Sequence, residues 1–348
     1  MLRQRIDLQD IAARDNLVLA VSKAVKGKRQ RPDIARFLDA LDSSLAVLGR
    51  DILEGRAPKG DVRRFIIHDP KRRIITAPGF ADRVLHHAIL NLAEARFEKM
   101  LVDSCYACRP GKGVHAAALA VQSNLRRWHW LVKVDVDAYF PTIDHRLLRE
   151  LLASRFKGPG FLALLGRIID VGAVAEGIGL PIGALTSQHF ANAYLDLADR
   201  YLLEQDRVKA HVRYMDDIVW WTTSREAAIA SLADFRVFLR DRRRLQLKPG
   251  VLIGQSRRGL AYCGFRIKPG VILATSRKLT RYRAGVKRCM RAMQGGRETP
   301  SQLQRAHDGL LATLAGTHTL NFRRRLPFGP DDEEVYLSYD SKPGCGSC

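Results

Sequence analysis

Two aspartates stand side by side in HVRYMDDIVWW, residues 211–221 of the 348-residue chain. Apolar runs such as those that flank Asp216 and Asp217 are usually buried, and a buried carboxylate is costly unless a cation neutralises it. Mg²⁺ is a suitable cation, because it prefers hard oxygen ligands and needs few protein carboxylates when phosphates supply the rest. The pair therefore suggests a metal site for phosphate chemistry, with two ordinary turn aspartates as the alternative.

A second acidic segment, VKVDVDAYF, carries Asp135 and Asp137. Its alternating apolar residues predict a strand, and the stretch around Asp216 predicts a hairpin with its carboxylates at the tip. If these strands are neighbours in one sheet, the carboxylates can gather two metal ions about 3.5–4 Å apart, which stabilises both the attacking and the leaving oxygen in phosphoryl transfer.

The central region contains the elements that must position these strands. Helices are predicted at 145–156 and 190–205, with the loop GIGLPIGALTSQ at 177–188 between them. A helix at 225–243 is followed by short strands to about Leu273. Strands that alternate with helices indicate an α/β or α+β sheet domain.

The flanking regions are mainly helical. Helices are predicted within residues 8–55 and at 81–102, and a β-hairpin with a basic turn is predicted between them, within 61–80. A Gly/Pro-rich basic loop, CRPGKGVH, follows the second helical region. Residues 275–315 read as a basic helical module, and the tail from Leu326 is expected to be poorly ordered.

Charge is the strongest signal in the composition. The chain has 58 Lys and Arg against 36 Asp and Glu, a net charge of +22. This excess is far beyond what solubility needs, and it indicates a polyanionic partner, most simply nucleic acid. Membrane-surface binding is the weaker alternative, because no segment has the pattern of a basic amphipathic anchor.

The sequence also favours a compartment. MLRQRIDLQD is charged from residue 3 and lacks the apolar region of a secretory leader. No apolar run approaches the ~20 residues that span a bilayer. Six cysteines do not suggest a disulfide framework, so we expect the reducing cytoplasm. The pairs Cys105/Cys108 and Cys345/Cys348 leave a zinc site as a weak alternative, although they lie far apart in the chain.

Several segments resemble the motifs of reverse transcriptases. Tyr214 to Asp217 resembles their YxDD motif, and Asp135 to Phe140 resembles their first metal-binding strand. Lys71 to Pro78 is similar to the fingers strand that holds the incoming triphosphate. Gly183 to Gln188 is similar to the loop that braces the template and the nascent pair, and Tyr262 to Phe265 to the primer-grip turn. The motifs follow in the expected order over nearly the whole chain.

The resemblance implies an α+β fold with the right-hand polymerase architecture. Fingers and palm would occupy residues 1–274, with the fingers mainly in 1–128 and the palm, with its antiparallel sheet, mainly in 129–274. A helical thumb would occupy 275–325 and a C-terminal tail 326–348. It further implies an RNA-directed DNA polymerase that extends a DNA or RNA primer on an RNA template, using dNTPs and two Mg²⁺ ions, for which Mn²⁺ can substitute.

The matching positions imply roles for individual residues. Asp135 and Asp216 would hold the catalytic metals, and the carbonyl of Val136 could also contact a metal. Asp217 would be a supporting ligand or would orient the other ligands. Asp137 is expected not to be a ligand. Phe140 would be a steric gate against the 2′-hydroxyl of a ribonucleotide. The residues expected to contact the nucleotide are Arg73, with Lys71 and Arg72 as alternates, together with Phe140, Gly183 and Gln188. Those expected to contact nucleic acid are Arg109, Lys112, Arg277, Lys278, Arg281, Arg283, Lys287 and Arg288.

Two segments resemble the reverse transcriptases of diversity-generating retroelements, YACRPGKG at 106–113 and IGALTSQ at 182–188. Enzymes of group II introns and retroviruses typically carry Gln where this chain has Ile182, and Pro where it has Gln188. The resemblance implies error-prone cDNA synthesis, with errors at template adenines, and a small basic accessory protein as partner. We expect Ile182 to influence fidelity, because an aliphatic side chain removes hydrogen bonding near the templating base; simple packing is the alternative.

Other functions remain open at this point. A reverse transcriptase of the group II intron, retron or antiphage-defence kind carries the same catalytic motifs. A basic nucleic-acid-binding protein without activity explains the charge, but it does not explain two carboxylate strands, which repel phosphate when no metal is bound.

Overall fold

The computed structural model of the chain describes residues 3–68, 72–296 and 298–324. The chain divides into two compact units, Met1–Ser256 and Arg257–Cys348. Lys71, predicted to contact the nucleotide, and the predicted tail at 326–348 lie outside the described residues. Within the described ranges, no helix is both long enough and apolar enough to cross a membrane.

The first unit is mainly helical and the second combines a small sheet with helices. The strands are β1 (Gln4–Arg5), β2 (Val62–His68), β3 (Arg72–Pro78), β4 (Trp130–Asp135), β5 (Phe156–Lys157), β6 (Ala210–Tyr214), β7 (Asp217–Thr222), β8 (Leu252–Gln255), β9 (Leu260–Tyr262), β10 (Phe265–Lys268) and β11 (Val271–Ala274). The helices are α1 (Leu8–Ala12), α2 (Arg14–Ala24), α3 (Pro32–Asp39), α4 (Leu41–Leu53), α5 (Phe80–Met100), α6 (Val114–Arg127), α7 (Tyr139–Thr142), α8 (His145–Arg155), α9 (Pro159–Val171), α10 (Leu185–Leu203), α11 (Arg225–Phe238), α12 (Ser276–Gln294), α13 (Pro300–Ala312) and α14 (Leu320–Arg324).

The central sheet of the first unit has the strand order β6-β7-β4-β8, and each neighbouring pair is antiparallel. The two acidic segments are therefore neighbours, as the sequence predicts. β4 is shorter than predicted: it ends at Asp135, and Ala138 turns the chain with φ of 41° into the short helix α7. Phe140 thus lies on a helical turn behind the strand rather than on the strand itself.

β7 is buried on both faces, which explains its unbroken apolar run. Ile218, Val219, Trp220 and Trp221 are fully buried. Trp220 packs against Phe235 of α11 with ring centroids 5.3 Å apart, and its indole N–H donates to Ser231 Oγ at 2.9 Å. The hairpin is thereby fixed to a helix, so the residues at its tip have a rigid base.

α10 begins at Leu185, five residues before the predicted start at 190. Gln188 therefore lies in the first turn of a helix, not in a loop. The helix N-cap, Ala184, provides no side-chain hydrogen bond, so the sequence carries no start signal there.

The hairpin predicted within residues 61–80 is confirmed by the pairing of β2 with β3, in register from Val62 opposite Pro78 to His68 opposite Arg72. One contact connects it to the loop before α10: the N–H of Thr76 donates to the carbonyl of Ile182 at 2.8 Å. Gly183 permits this approach, because its φ is 128° and a Cβ there would lie 2.8 Å from the Thr76 carbonyl oxygen.

The second unit contains the antiparallel sheet β9-β10-β11 together with α12, α13 and α14. Ala274, Tyr282, Val286 and Leu314 form one buried cluster in it, and apolar residues of the three strands, such as Phe265 and Ile267, are buried as well. The three strands group with these helices, although the sequence analysis assigns them to the end of the palm. One reason is the contact between the N–H of His318 and the carbonyl of Ile272 at 2.9 Å.

Candidate active site

The turn between β6 and β7 consists of Met215 and Asp216, closed by the pairing of Tyr214 with Asp217. Met215 has φ of 56°. A residue other than glycine held in this left-handed region costs about 1–3 kcal/mol, so the surrounding structure must enforce the conformation. The turn places Asp216 at the tip and Asp217 at the first position of β7.

The buried side chain of Arg213 stabilises this turn from the protein interior. Its guanidinium donates to the carbonyl of Met215 at 3.2 Å, to both carboxylate oxygens of Asp199 at 2.8 Å, and to the side-chain oxygen of Asn192 at 3.1 Å. His211 lies 3.2 Å from the same Asp199 carboxylate. The side chains of Arg213, Asp199 and His211 are fully buried. Burial alone would raise the pKa of Asp199, but Arg213 and His211 hold that pKa below its ordinary value.

Three carboxylates meet at the end of the central sheet. Asp135 is the last residue of β4 and stands directly opposite Asp217 of β7, and the N–H of Val136 donates to the carbonyl of Asp216 at 3.2 Å. Burial raises the pKa of Asp216, and the charge of Asp135 raises it further. Burial raises the pKa of Asp217 to about 7, in spite of a nearby lysine. These residues form the site in which the sequence predicts metal ions.

Two lysines offset part of the charge of the three carboxylates. The ammonium of Lys248 lies 2.8 Å from Asp135 Oδ1 and 3.6 Å from Asp216 Oδ2. The ammonium of Lys133 lies 2.9 Å from Asp217 Oδ1 and 3.4 Å from Asp135 Oδ2. Neither lysine is among the site residues predicted from the sequence.

The donor set fits a hard divalent cation. Lys248 lies between an oxygen of Asp135 and an oxygen of Asp216, which marks a position where a cation is stabilised by both carboxylates. Within the part of the chain that the structure describes, no group of three or more His, Cys, Asp or Glu residues could hold a metal ion. Mg²⁺ needs only one or two carboxylates when the phosphates of a substrate supply further oxygens, so Asp135 and Asp216 would be sufficient protein ligands.

A cleft of about 730 Å³ opens beside Asp216 and Lys248. Residues from the hairpin, from α7 and from the loop before α10 line it together. Among them are Arg64, Arg72, Arg73, Phe140, Ile182 and Asp216. The cleft therefore combines cationic side chains, an aromatic ring and a carboxylate, which suits a nucleoside triphosphate. Arg64 was not predicted from the sequence. It stands opposite Thr76 in the hairpin. Because side chains alternate between the two faces of a strand, Thr76 and Arg72 lie on the same face of β3, and Arg64 shares that face.

Gly183 and Gln188 serve other contacts in the structure. Gly183 lies against the hairpin, as described above, and the side-chain oxygen of Gln188 accepts a hydrogen bond from the Cys108 thiol at 3.2 Å. Neither is among the described residues that line the cleft. Their predicted contacts with the nucleotide stay predictions.

Arg109 and Lys112 are engaged within the protein. Arg109 pairs with Glu98 at 2.6 Å and donates to the carbonyls of Val102 and Cys105, and its side chain is 6% exposed. Lys112 pairs with Asp103 at 2.6 Å. These contacts fix the basic loop to the end of α5. They favour a structural role, and the predicted contact with nucleic acid has no support in this geometry.

The six basic residues predicted for the thumb lie on α12, in the second unit. That helix buries Tyr282, Gly285 and Val286 on one side. Lys278 is half-buried and lies 3.4 Å from the centroid of the Phe265 ring, and burial lowers its pKa. Five of the six predicted residues, Arg277, Arg281, Arg283, Lys287 and Arg288, are exposed on this helix, and so is Arg291, which was not predicted. An exposed basic face of this kind suits a phosphate backbone.

Part of what the sequence analysis missed was visible in the alternation of β4. Lys133 stands two residues before Asp135, so both side chains are on the same face of the strand. Lys248 has no such local signal. Its position depends on a long-range contact, in which the backbone N–H of Lys248 donates to the backbone carbonyl of Asp135 at 2.9 Å.

Comparison with known families decides what kind of site this is. Residues 58–250, more than half of the chain, match the family model described as "Reverse transcriptase (RNA-dependent DNA polymerase)". The chain belongs to the reverse transcriptase family. Together with the mixture of helices and antiparallel sheets, this membership confirms the predicted α+β class with right-hand polymerase architecture. Fingers, palm and thumb as functional names for particular segments stay proposals.

The chain is also similar to several curated proteins. Protein YkfC of Escherichia coli is 29% identical over 174 residues, covering 46% of each chain. The group II intron-encoded protein LtrA of Lactococcus lactis is 26% identical over 152 residues, covering 41% of this chain and 25% of its own. A solved structure of telomerase from Candida tropicalis is similar with a TM-score of 0.42 and 12% identity, covering 61% of this chain and 53% of that chain. The chain spans less than half the length of these curated relatives.

Proposed function

We propose that this protein is an RNA-directed DNA polymerase that extends a DNA or RNA primer on an RNA template. The observation that carries the proposal is the meeting of Asp135 and Asp216 at one end of the sheet, beside the arginine-lined cleft. Family membership supplies the reaction class. In this assignment Asp135, Asp216 and the carbonyl of Val136 hold two Mg²⁺ ions, for which Mn²⁺ can substitute, and Asp217 supports them. Bound there, the ions lower the barrier to attack of the primer hydroxyl on the nucleotide.

The residues around the cleft position the nucleotide. Arg72 and Arg73 provide guanidinium groups that can contact the triphosphate in a bidentate manner, with Lys71 as an alternate. Phe140 lies half-buried in the wall of the cleft and would exclude a 2′-hydroxyl. Gly183 and Gln188 would brace the nascent pair. The exposed cations of α12 would contact the backbone of the primer–template duplex without reading its sequence.

We further infer that the cDNA is error-prone and serves mutagenic retrohoming of a diversity-generating retroelement. The support is Ile182, which lines the cleft with an aliphatic side chain, and the two segments at 106–113 and 182–188. A small basic accessory protein would be a partner. The relatives that are intron-encoded favour the alternative of a group II intron-like enzyme, and retron-like, antiphage-defence and non-enzymatic nucleic-acid-binding functions are further alternatives.

Two experiments test these proposals separately. Primer extension by the wild type and by Asp216→Ala tests the polymerase itself; equal activity of the two proteins contradicts it. Sequencing the cDNA made by Ile182→Gln tests the fidelity claim, which predicts fewer errors opposite template adenine than in the wild type. A nearby pair of repeats that differ at adenines, next to a small basic reading frame, would separate the retroelement from the intron-like alternative.

A further inference from the structure

Two lysines serve the three carboxylates, but they are held very differently. Lys248 lies in a loop after Leu247 and lines the cleft next to Asp216. Lys133 lies in the middle of β4, which pairs with β7 on one side and with β8 on the other. Its side chain is 18% exposed, against 33% for Lys248. Lys248 can therefore leave its partners at a small cost, whereas Lys133 is fixed by the sheet.

The carboxylates that the two lysines contact also differ in their exposure and in their position relative to the cleft. Lys248 joins Asp135 to Asp216, and Asp216 lines the cleft. Lys133 joins Asp135 to Asp217, and none of these three residues is among the described residues that line the cleft. The side chain of Asp217 is 22% exposed, against 35% for that of Asp135 and 36% for that of Asp216. Asp217 thus points toward the sheet lysine, while Asp216 is open to a ligand.

From this arrangement, and on the basis of the proposed function, we propose that Lys133 is a positioning residue. It holds the Asp217 carboxyl group against its ammonium group before and after a cation binds, so that Asp135 and Asp216 are the carboxylates that remain for the metal ions. A cation that approaches from the cleft would replace Lys248 between Asp135 and Asp216. The contact of Lys133 with Asp217 stays intact, because separating two oppositely charged groups in a largely buried position is costly.

The charge balance at the site follows from this assignment. With Lys133 committed to Asp217, two carboxylates remain to balance bound cations, and Lys248 is free to move toward the phosphates in the cleft. Asp217 then supports the site indirectly, through the position of Lys133 and of the strand end at Asp135. The role of Asp217 therefore differs from that of Asp216, although the two residues are adjacent in the sequence.

Four variants of the chain test the proposal: Lys133→Met, Lys133→Arg, Asp217→Asn, and Lys133→Met combined with Asp217→Asn. We expect Lys133→Met to lower the rate of primer extension roughly tenfold or more, because Asp217 loses the lysine that holds it beside Asp135. The combined variant should recover several-fold relative to Lys133→Met, since it removes the charge of Asp217 that repels Asp135. Lys133→Arg, which keeps the ion pair, should retain most of the activity. A combined variant no more active than Lys133→Met would overturn the proposal.

A readout independent of catalysis comes from metal binding and melting. In the complex with primer, template and a non-hydrolysable dNTP, Asp217→Asn should bind two Mn²⁺ ions by calorimetry, as the wild type does; the loss of one ion contradicts the proposal. In the metal-free protein, the melting temperature should fall more for Lys133→Met than for the combined variant. If wild-type protein fails to extend a primer, the proposed function is wrong, whereas the melting comparison still tests the ion pair.

Discussion

Asp135 and Asp217 stand directly opposite each other in the antiparallel pair of β4 and β7. Like charges in this position repel, so an isolated sheet with this sequence would be destabilised at its end. Lys133 and Lys248 offset the repulsion, and each contacts two of the three carboxylates. The structure therefore maintains a concentrated negative charge next to a cleft lined with arginines, which is the arrangement that a metal-bound triphosphate requires.

Lys248→Met should increase the affinity of the metal-free site for divalent cations. Lys248 neutralises Asp135 and Asp216, so its removal eliminates a competitor for the same oxygens. We expect Mn²⁺ to bind roughly fivefold more tightly, which corresponds to the loss of about 1 kcal/mol of a partly exposed ion pair. Calorimetry with Mn²⁺ and no nucleotide measures this. Lys209→Met is the control, because the exposed side chain of Lys209 donates to the backbone carbonyl of Asp206 and is not part of the carboxylate site. Weaker binding by Lys248→Met would contradict the assignment.

Phe140→Val should admit ribonucleotides. The Phe140 ring lies in the wall of the cleft, on α7, and a smaller side chain leaves room for a 2′-hydroxyl. The ratio of kcat/KM for rNTP to kcat/KM for dNTP should rise by roughly 10- to 200-fold, the range found when the fit of a pocket changes by one small group. Single-nucleotide extension with matched rNTP and dNTP measures the ratio. An unchanged ratio would assign Phe140 to packing alone.

Gly183→Ala should destabilise the contact between the β2–β3 hairpin and the loop before α10. The change combines an unfavourable φ of 128° with a Cβ 2.8 Å from the Thr76 carbonyl oxygen. We expect a loss of about 2 kcal/mol or more in the free energy of unfolding, together with a higher KM for dNTP. Gly177→Ala is a matched control, because φ there is 73° and nothing lies within 4 Å of the added Cβ. Its cost should be about 1 kcal/mol, with KM unchanged. Equal effects of the two substitutions would show that the close contact is unimportant.

Acid should destabilise the first unit through His86. Burial, with a smaller contribution from His87, lowers the pKa of His86 to about 4, and its Nδ1 lies 2.9 Å from Thr186 Oγ1 of α10. Between its ordinary pKa and about 4, the unfolded chain binds a proton that the folded chain does not. Stability therefore falls as the pH decreases through this range, by up to about 3 kcal/mol. Denaturant unfolding of His86→Asn from pH 7 to pH 4 should show a shallower decline than the wild type. Burial lowers the pKa of His87 and His189 as well, so some slope should remain. An identical slope would exclude His86 as a source.

The elements that carry the carboxylates were predictable from the sequence because their patterns are local. Alternation identified β4, and the Asp pair between two apolar runs identified the β6–β7 hairpin; helices between the two segments made neighbouring strands plausible. The early start of α10 was not predictable, because Ala184 gives no capping signal. Of the two lysines that contact the carboxylates, Lys248 was not predictable either, because it reaches Asp135 across more than a hundred residues of chain.

The basic residues show a second limit of sequence reasoning. Arg72 and Arg73 do line the cleft, whereas Arg109, in an equally basic loop, is buried against Glu98. Composition and loop chemistry are alike in the two segments. The difference lies in the tertiary environment, because the end of α5 provides carbonyl and carboxylate acceptors for Arg109. Only the folded structure decides which cations are available to a ligand.

The assignment of Asp216 as a metal ligand of a polymerase is tested most directly by single-nucleotide primer extension on an RNA template. The variant is Asp216→Asn, and Asp137→Asn is the matched control. Asp216 contacts Lys248 at the position assigned to a metal ion, whereas Asp137 is an exposed aspartate of the same cleft to which no metal is assigned. We expect Asp216→Asn to lose at least about a thousandfold in rate, because a carboxylate that holds a catalytic metal is gone. We expect Asp137→Asn to keep most of the wild-type rate. Near-normal extension by Asp216→Asn, in a protein that still binds primer and template, would contradict the assignment of Asp216 as a metal ligand.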